Sequence, residues 1–139
     1  MADLKYRLGK IAFGEGTLNL EDTAKLKVKL VTTAYVGTAT ALDTMATINA
    51  GEISAGGGYS TGGALLVGNA VTDDGGNNMQ FDANNLTWAA STITAGGAVL
   101  YLDDTVDIPV ALYDFAGDKI SSNGDFTINW NASGLLTLS

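Results

Sequence analysis

The feature that most constrains the fold of this chain is the pattern of residues 51–139, where short apolar runs alternate with turns rich in Gly, Asn and Asp. The turns recur at intervals of about ten residues, which is typical of an antiparallel sandwich or barrel rather than of βαβ units. Strands are expected at residues 64–72, 79–83, 86–94, 98–102, 108–115, 125–130 and 135–138. The sequence therefore predicts an all-β fold, a single small antiparallel β-sandwich or jelly-roll-like barrel.

The first fifty residues carry a different pattern. We expect residues 1–50 to form an N-terminal arm with the first strand, followed by a β-sandwich module at residues 51–139. In residues 25–30, Lys alternates with Leu or Val, which predicts a half-buried strand. Lysines on the open face of a strand are typical of the edge of a sheet. Residues 32–50 are rich in Thr and Ala, and their pattern leaves open a short helix around 41–48 or another strand.

Charge is distributed unevenly along the chain, whose formal net charge is −8. Residues 1–29 hold six basic and four acidic residues, a net charge of +2. Residues 30–139 hold one basic and eleven acidic residues, a net charge of −10. The mildly basic segment and the acidic remainder are expected to meet different partners, unless the lysines only solvate one face of a strand. Because the acidic body repels phosphate, nucleic acid is not an expected partner.

The composition also argues against an enzyme. The chain contains no His and no Cys, so the commonest general base, the commonest metal ligand and the thiol nucleophile are all missing. The glycine cluster at residues 56–63 lacks the Gly-Lys-Ser/Thr ending of a phosphate loop. Acidic turns at residues 73–82 and 103–107 are expected to be hairpin turns rather than calcium sites, because neither is a spaced loop ending in a bidentate Glu. No catalytic residue, cofactor or metal ion is predicted.

Aromatic residues fall within or at the ends of the expected strands, so they are expected to pack in or near the core. They are Phe81, Trp88, Tyr101, Tyr113, Phe115, Phe126 and Trp130. An outward-facing Tyr101 or Tyr113 would instead mark an interface. Exposure of both Trp88 and Trp130 on one sheet face would indicate a carbohydrate-binding module.

The sequence gives no sign of a secretory signal or of a membrane span. The first residues include no apolar run long enough for a signal peptide, and no later stretch approaches the length of a membrane span. We therefore expect a protein made in a cytoplasm, with no membrane partner.

Three segments of the module carry a distinctive combination of motifs. They read SAGGGYSTGGALLVGNAVT, FDANNLTWAASTITAGGAVLYLDD and ALYDFAGDKISSNGDFTINWNASGLLTLS, and they lie within residues 51–139. Their motifs, taken in order, resemble those of a family of small virion structural proteins of tailed bacteriophages. The motifs are a Gly-rich turn, Phe-Asp-Ala before Thr-Trp-Ala, the Ala-Val-Leu-Tyr strand and the Gly-Asp-Phe-Thr-Ile ending. Members of that family often carry an acidic pair where this chain has Asn84 and Asn85, and they have no catalytic residues to transfer.

The resemblance implies a capsid decoration (cement) protein, located on the capsid surface of a virion that is assembled in the host cytoplasm. Such proteins bind the exterior of the mature capsid and stabilise contacts between subunits of the major capsid protein, commonly as homotrimers. The alternative is a tail or fibre component with a host-binding or adaptor role.

If the chain binds a capsid, its N-terminal segment holds the expected docking residues. The apolar residues there follow a loose pattern broken by glycines, which predicts an extended N-terminal arm that becomes ordered on docking. The alternative is an N-terminal strand of the core itself. The expected partner-binding residues are Tyr6, Arg7, Leu8, Ile11 and Phe13, with Lys10 adding charge.

Overall fold

The computed structural model describes residues 3–138, and it is mostly β-structure, with 41% of the chain in strands and 16% in helices. In chain order the elements are β1 (Leu4–Lys5), α1 (Arg7–Glu15), β2 (Leu26–Val31), α2 (Thr33–Thr38), α3 (Met45–Ala50), β3 (Ala64–Leu65), β4 (Ala70–Asp73), β5 (Met79–Asp82), β6 (Leu86–Ser91), β7 (Thr94–Leu102), β8 (Ile108–Ile120), β9 (Gly124–Ile128) and β10 (Leu136–Leu138). The strand pairs among these elements are antiparallel. The predicted all-β, sandwich-like fold is thereby confirmed.

The largest sheet has the strand order β1-β8-β7-β2-β3 and separates two apolar layers. β7 lies at its centre, and residues 95–102 are all buried because both faces of this strand are covered. On one face, Val28 and Leu100 belong to a core shared with two smaller sheets, β10-β5-β4 and β6-β9. The opposite face carries Val99 and is covered by α2 and α3. The sheet thus lies between two apolar layers, one shared with the smaller sheets and one covered by α2 and α3.

Most strand predictions for residues 51–139 are confirmed. β5 to β10 each overlap a predicted run, and the acidic turn after β4 forms a hairpin in which Val71 lies opposite Phe81. The predicted strand at residues 64–72 is instead divided into β3 and β4. Between them Gly68 has φ 72°, and a Cβ atom there would lie 2.4 Å from the Asn84 Oδ1 atom, so the chain turns at a position that favours glycine. For residues 32–50, the structure contains the two helices α2 and α3.

β2 lies inside the sheet, so the interpretation of its lysines as edge protection was wrong. Its apolar residues are buried as predicted. However, β7 pairs along the full length of β2, and β3 pairs with Lys27 and Val28 on the other side. Lys29 does not lie on an open face either, since it is only 3% exposed. The alternation indicated that the lysines lie on one face of the strand, but it did not indicate which segments cover that face.

Residues 4–15 form β1 and α1, so the prediction of an extended arm was wrong. β1 joins the main sheet by pairing Leu4 with Leu112, in agreement with the alternative of a terminal strand in the core. α1 lies directly on β8, because a Cβ atom at Gly9 would be only 2.7 Å from the Pro109 carbonyl oxygen. A glycine that interrupts the apolar pattern therefore allows a helix to approach the sheet. Strands from both sides of residue 50 share this sheet, so the predicted boundary between arm and module does not divide it.

Candidate functional site

Tyr6, the first of the expected docking residues, is a core residue. Its side chain is fully buried, and its hydroxyl group lies 2.7 Å from that of Tyr35. The Tyr35 hydroxyl in turn donates to the Asp43 carboxylate at 3.0 Å. Burial raises the pKa of Tyr6 to about 12, so its hydroxyl stays protonated within this chain of hydrogen bonds. Tyr6 therefore fixes the N-terminal segment to the sheet and is not available to a partner.

The other expected docking residues follow the surface of α1. Arg7, Lys10 and Ile11 are exposed, and their spacing of three and four residues places them on one side of the helix. Leu8 is half-buried at the border of that face. Ile11 is 44% exposed, which is a large apolar surface for a helix of nine residues. The outer surface of α1 thus combines two cations with an apolar side chain.

Phe13 and Lys10 also line a groove between α1 and the sheet β10-β5-β4. The groove has a volume of about 430 Å³, and most of its lining is apolar. The lining residues are Lys5, Gly9, Lys10, Phe13, Leu18, Leu20, Met79, Val110, Leu136 and Thr137. The Lys5 ammonium group donates to the Thr137 carbonyl oxygen at 2.9 Å and so closes one side of the groove. We call the exposed side of α1 together with this groove the docking face.

The docking face places exposed apolar surface near two cationic side chains. Phe13 is 42% exposed at the rim, so an incoming apolar group would cover surface that is now open to water. Lys10 lines the same groove, and Arg7 lies about one turn earlier on the exposed side of α1, so both cations are open to anionic groups of a partner. The sequence analysis singled out the α1 residues of this face as a prediction, but it gave no sign that Leu18, Leu20 and Leu136 lie beside them. Those residues come together only through the fold.

The sequence analysis missed a second site, which is polar. It lies on the face of β2 that carries Lys29, opposite to the face of Val28 and Leu30. Lys29 Nζ lies 2.5 Å from the Asn49 side-chain oxygen and 3.7 Å from Glu52 Oε1. The side chains of Lys29 and Glu52 are only 4% and 6% exposed. The Tyr101 ring faces the ammonium group, with its centroid 4.4 Å from Nζ. We call Lys29, Asn49, Glu52 and the two tyrosines that surround them, Tyr59 and Tyr101, the Lys29 cluster.

The Glu52 carboxylate in this cluster is held in a fixed position. Its Oε2 atom accepts hydrogen bonds from the Tyr59 hydroxyl at 2.6 Å and from the Gly62 N–H at 2.7 Å. Tyr59 itself is oriented by the Leu30 N–H, which donates to its hydroxyl oxygen at 3.0 Å. Burial, and next the hydrogen bond to Glu52, raise the pKa of Tyr59, so its hydroxyl remains a donor. Glu52 is the one acidic residue of an Ala/Gly-rich stretch, which is the only sequence signal that marked it.

The acidic turns use their carboxylates for local structure. Asp74 accepts from the backbone N–H groups of Gly76 and Asn78 at the tip of the β4–β5 hairpin. Asp103 and Asp104 pair with Lys27 and Lys25, at 2.6 and 3.0 Å. Within residues 3–138, no group of three or more His, Cys, Asp or Glu side chains is arranged to hold a metal ion.

The two tryptophans do not form a common platform. Trp88 is 7% exposed and packs edge-on against Phe126, with ring centroids 6.1 Å apart. Trp130 is half-buried, lies 5.0 Å from the Tyr113 ring and donates its indole N–H to the Asn84 carbonyl oxygen. Tyr101 and Tyr113 are also buried, so neither marks an interface. The aromatic residues therefore serve the core, as predicted.

Comparison of the chain with protein-family models, with curated proteins and with solved structures gives no match. Among the described residues, every helix is too short or too polar to cross a membrane. The functional conclusion therefore rests on the chain itself and on its geometry.

Proposed function

We propose that this protein is a capsid decoration (cement) protein of a tailed bacteriophage. It binds the exterior of the mature capsid, at the virion surface, and stabilises contacts between major capsid protein subunits. The proposal draws on the resemblance of residues 51–139 to small phage virion proteins. The structural observation that carries it is the docking face, an exposed basic and apolar surface on a helix that packs against β8 of the main sheet.

Charge and shape argue for a protein partner at this face. Arg7, Lys10 and Lys5 lie on or beside it, whereas the chain beyond residue 29 has a net charge of −10. A partner surface with carboxylates around an apolar side chain would be attracted to the docking face and repelled elsewhere, which fixes the orientation of binding. We assign that partner surface to the major capsid protein.

Binding at many equivalent positions explains how a contact of modest affinity can stabilise the shell. A protein that binds only the mature shell stabilises that shell by mass action. If the protein assembles as a homotrimer, three docking faces engage together, and the second and third contacts benefit from a high effective concentration. A single docking face therefore needs only moderate affinity.

Cryo-electron microscopy of purified virions, combined with quantitative mass spectrometry, tests the location and copy number. A decoration protein is expected on the outer capsid surface in a number close to the lattice positions available to it. A small copy number confined to the tail would refute the proposal and support the alternative, a tail or fibre component with an adaptor role.

Charge reversal on α1 tests the docking face itself. The double variant Arg7→Glu and Lys10→Glu is expected to weaken binding to undecorated mature capsids about tenfold, because each reversal costs about 0.5–1 kcal/mol at a partly exposed contact. Lys119→Glu is the control, since it reverses an exposed charge near the far end of β8. Lys119 pairs with Ala95, roughly 17 Å along β7 from Leu100, which pairs with Ala111 next to Val110. Circular dichroism should show all variants folded. Equal capsid binding by the double variant and the wild type would refute the assignment of the docking face.

A further inference from the structure

We propose that the Lys29 cluster is an autocatalytic site at which Lys29 and Asn49 form an intramolecular isopeptide bond, with Glu52 as the catalytic acid and base. The proposal does not depend on the capsid function. It rests on the placement of an amine, a carboxamide and a buried carboxylate within one small space.

The amine is already close to the carbon that it would attack. Lys29 Nζ is 2.5 Å from Asn49 Oδ1. Because a carbonyl bond is about 1.23 Å long, the Asn49 Cγ atom lies no more than ~3.7 Å from Nζ. Reacting atoms in a near-attack arrangement are about 3–3.5 Å apart, so little movement is needed to reach it. β2 and α3 hold the two residues in place, and Tyr101 covers the ammonium group.

The carboxylate lies next to the ammonium group and has to come about 0.5 Å closer to take its proton. Glu52 Oε1 lies 3.7 Å from Nζ, while Oε2 is held by Tyr59 and Gly62. Glu52 is within ion-pair distance of the ammonium group, so it can accept a proton from it. That transfer produces the free amine, which is the nucleophilic form of lysine.

The reaction balances without any other reagent. The Lys29 ammonium gives one proton to Glu52, and the neutral amine attacks Asn49 Cγ to form a tetrahedral adduct. Glu52 returns that proton to Nδ2 and then accepts the second proton that leaves Nζ, as the bond from Cγ to Nδ2 breaks. Ammonia departs through the exposed side of Asn49 and takes the remaining proton from Glu52. The products are a secondary amide between the two side chains, an ammonium ion and the regenerated carboxylate.

Intact-mass measurement of the purified, denatured full-length chain tests the proposal. The wild-type mass is expected to be lower than the sequence mass by one ammonia, whereas Lys29→Arg and Glu52→Gln should keep the full mass. Chymotrypsin cleaves after Tyr35, which lies between the two residues, so peptides joined by the bond would remain linked after digestion. A wild-type chain at full mass would overturn the proposal.

Loss of ammonia has one other route in this chain, which the controls separate. Asn123 precedes Gly124 and can cyclise to a succinimide with the same change in mass. The succinimide would persist in Lys29→Arg and would not join chymotryptic peptides. Equal ammonia loss in Lys29→Arg and in the wild type, with no linked peptides in either, therefore also overturns the proposal. Linked peptides containing Lys29 and Asn49 in the wild type alone would establish it, whatever the stability of the variants.

Discussion

The contact between α1 and the sheet depends on the absence of a side chain at Gly9, and a second glycine on the same helix provides a matched comparison. A Cβ atom at Gly9 would lie 2.7 Å from the Pro109 carbonyl oxygen and 2.8 Å from the Val110 Cα atom. At Gly14 a Cβ atom would meet nothing within 4 Å. Gly9→Ala and Gly14→Ala make the same chemical change within one helix, and we expect effects of opposite sign.

The expected magnitudes follow from helix propensity and packing. Replacing Gly by Ala within a helix stabilises the folded state by about 0.5–1 kcal/mol, and Gly14→Ala should show this gain. Gly9→Ala should show the same gain, offset by an overpacking cost of about 1–3 kcal/mol. That cost should fall near the upper end of its range, because both obstructing atoms belong to the backbone and cannot rotate away. We expect a net loss of about 1–2 kcal/mol, and so a difference of about 2 kcal/mol between the two variants.

Urea unfolding followed by circular dichroism measures this difference. With an m-value of about 2 kcal/mol/M, the two midpoints should differ by about 1 M while the slopes remain equal. If both variants were stabilised equally, α1 would not lie on β8 in solution. That result would refute the docked helix and restore the interpretation of residues 7–15 as a free arm.

Two further predictions concern ion pairs and backbone strain. The hydrogen bond from Lys27 holds the pKa of Asp103 below its usual range, so this pair adds stability at neutral pH that is lost as the pH falls through the lowered pKa. Asp103→Asn should therefore show a smaller loss of the free energy of unfolding between about pH 4 and pH 2 than the wild type, and an unchanged pH profile would contradict the pairing. Ala90 has φ 49°, a left-handed conformation that favours glycine, so Ala90→Gly should be neutral or stabilise the protein by up to about 1 kcal/mol in thermal unfolding. Ala89→Gly in the same strand is the control and should destabilise it, and equal losses in both variants would exclude strain at Ala90.

The strands of residues 51–139 were predictable because their signals are local. Turn residues and β-branched or aromatic runs determine where a strand begins and ends, and the hairpin of β4 and β5 follows from its turn alone. α1 was not predictable in the same way, since Gly9 and Gly14 lower the helix propensity of the segment. Its stability comes from packing of Ala12 and Gly9 on the sheet, a contact made by residues about a hundred positions apart in the sequence.

The lysines at positions 25, 27 and 29, of which the first directly precedes β2 and the others lie in it, show why the polar sites could not be predicted. They alternate regularly in the sequence, yet Lys25 and Lys27 reach the exposed carboxylates of Asp104 and Asp103, whereas Lys29 is buried. The difference is set by α3 and by the loop that carries Tyr59, which cover only the last of the three positions. Periodicity reports the face of a strand, but the environment of each side chain is decided by segments distant in the sequence.

A covalent bond at the Lys29 cluster would persist in the unfolded chain, whereas an ion pair would not. The two can therefore be distinguished by unfolding experiments. Linking residues 29 and 49, which are 20 positions apart, would stabilise the protein by about 3 kcal/mol in the chain-entropy description used for disulfides. Loss of a hydrogen bond to a charged group in Asn49→Ala could cost a similar amount, so the free energy alone does not distinguish the two. The slope of urea unfolding does, since a linked unfolded chain exposes less surface and gives a smaller m-value than Asn49→Ala. Equal m-values would mean that Lys29 and Asn49 are held together only by a hydrogen bond.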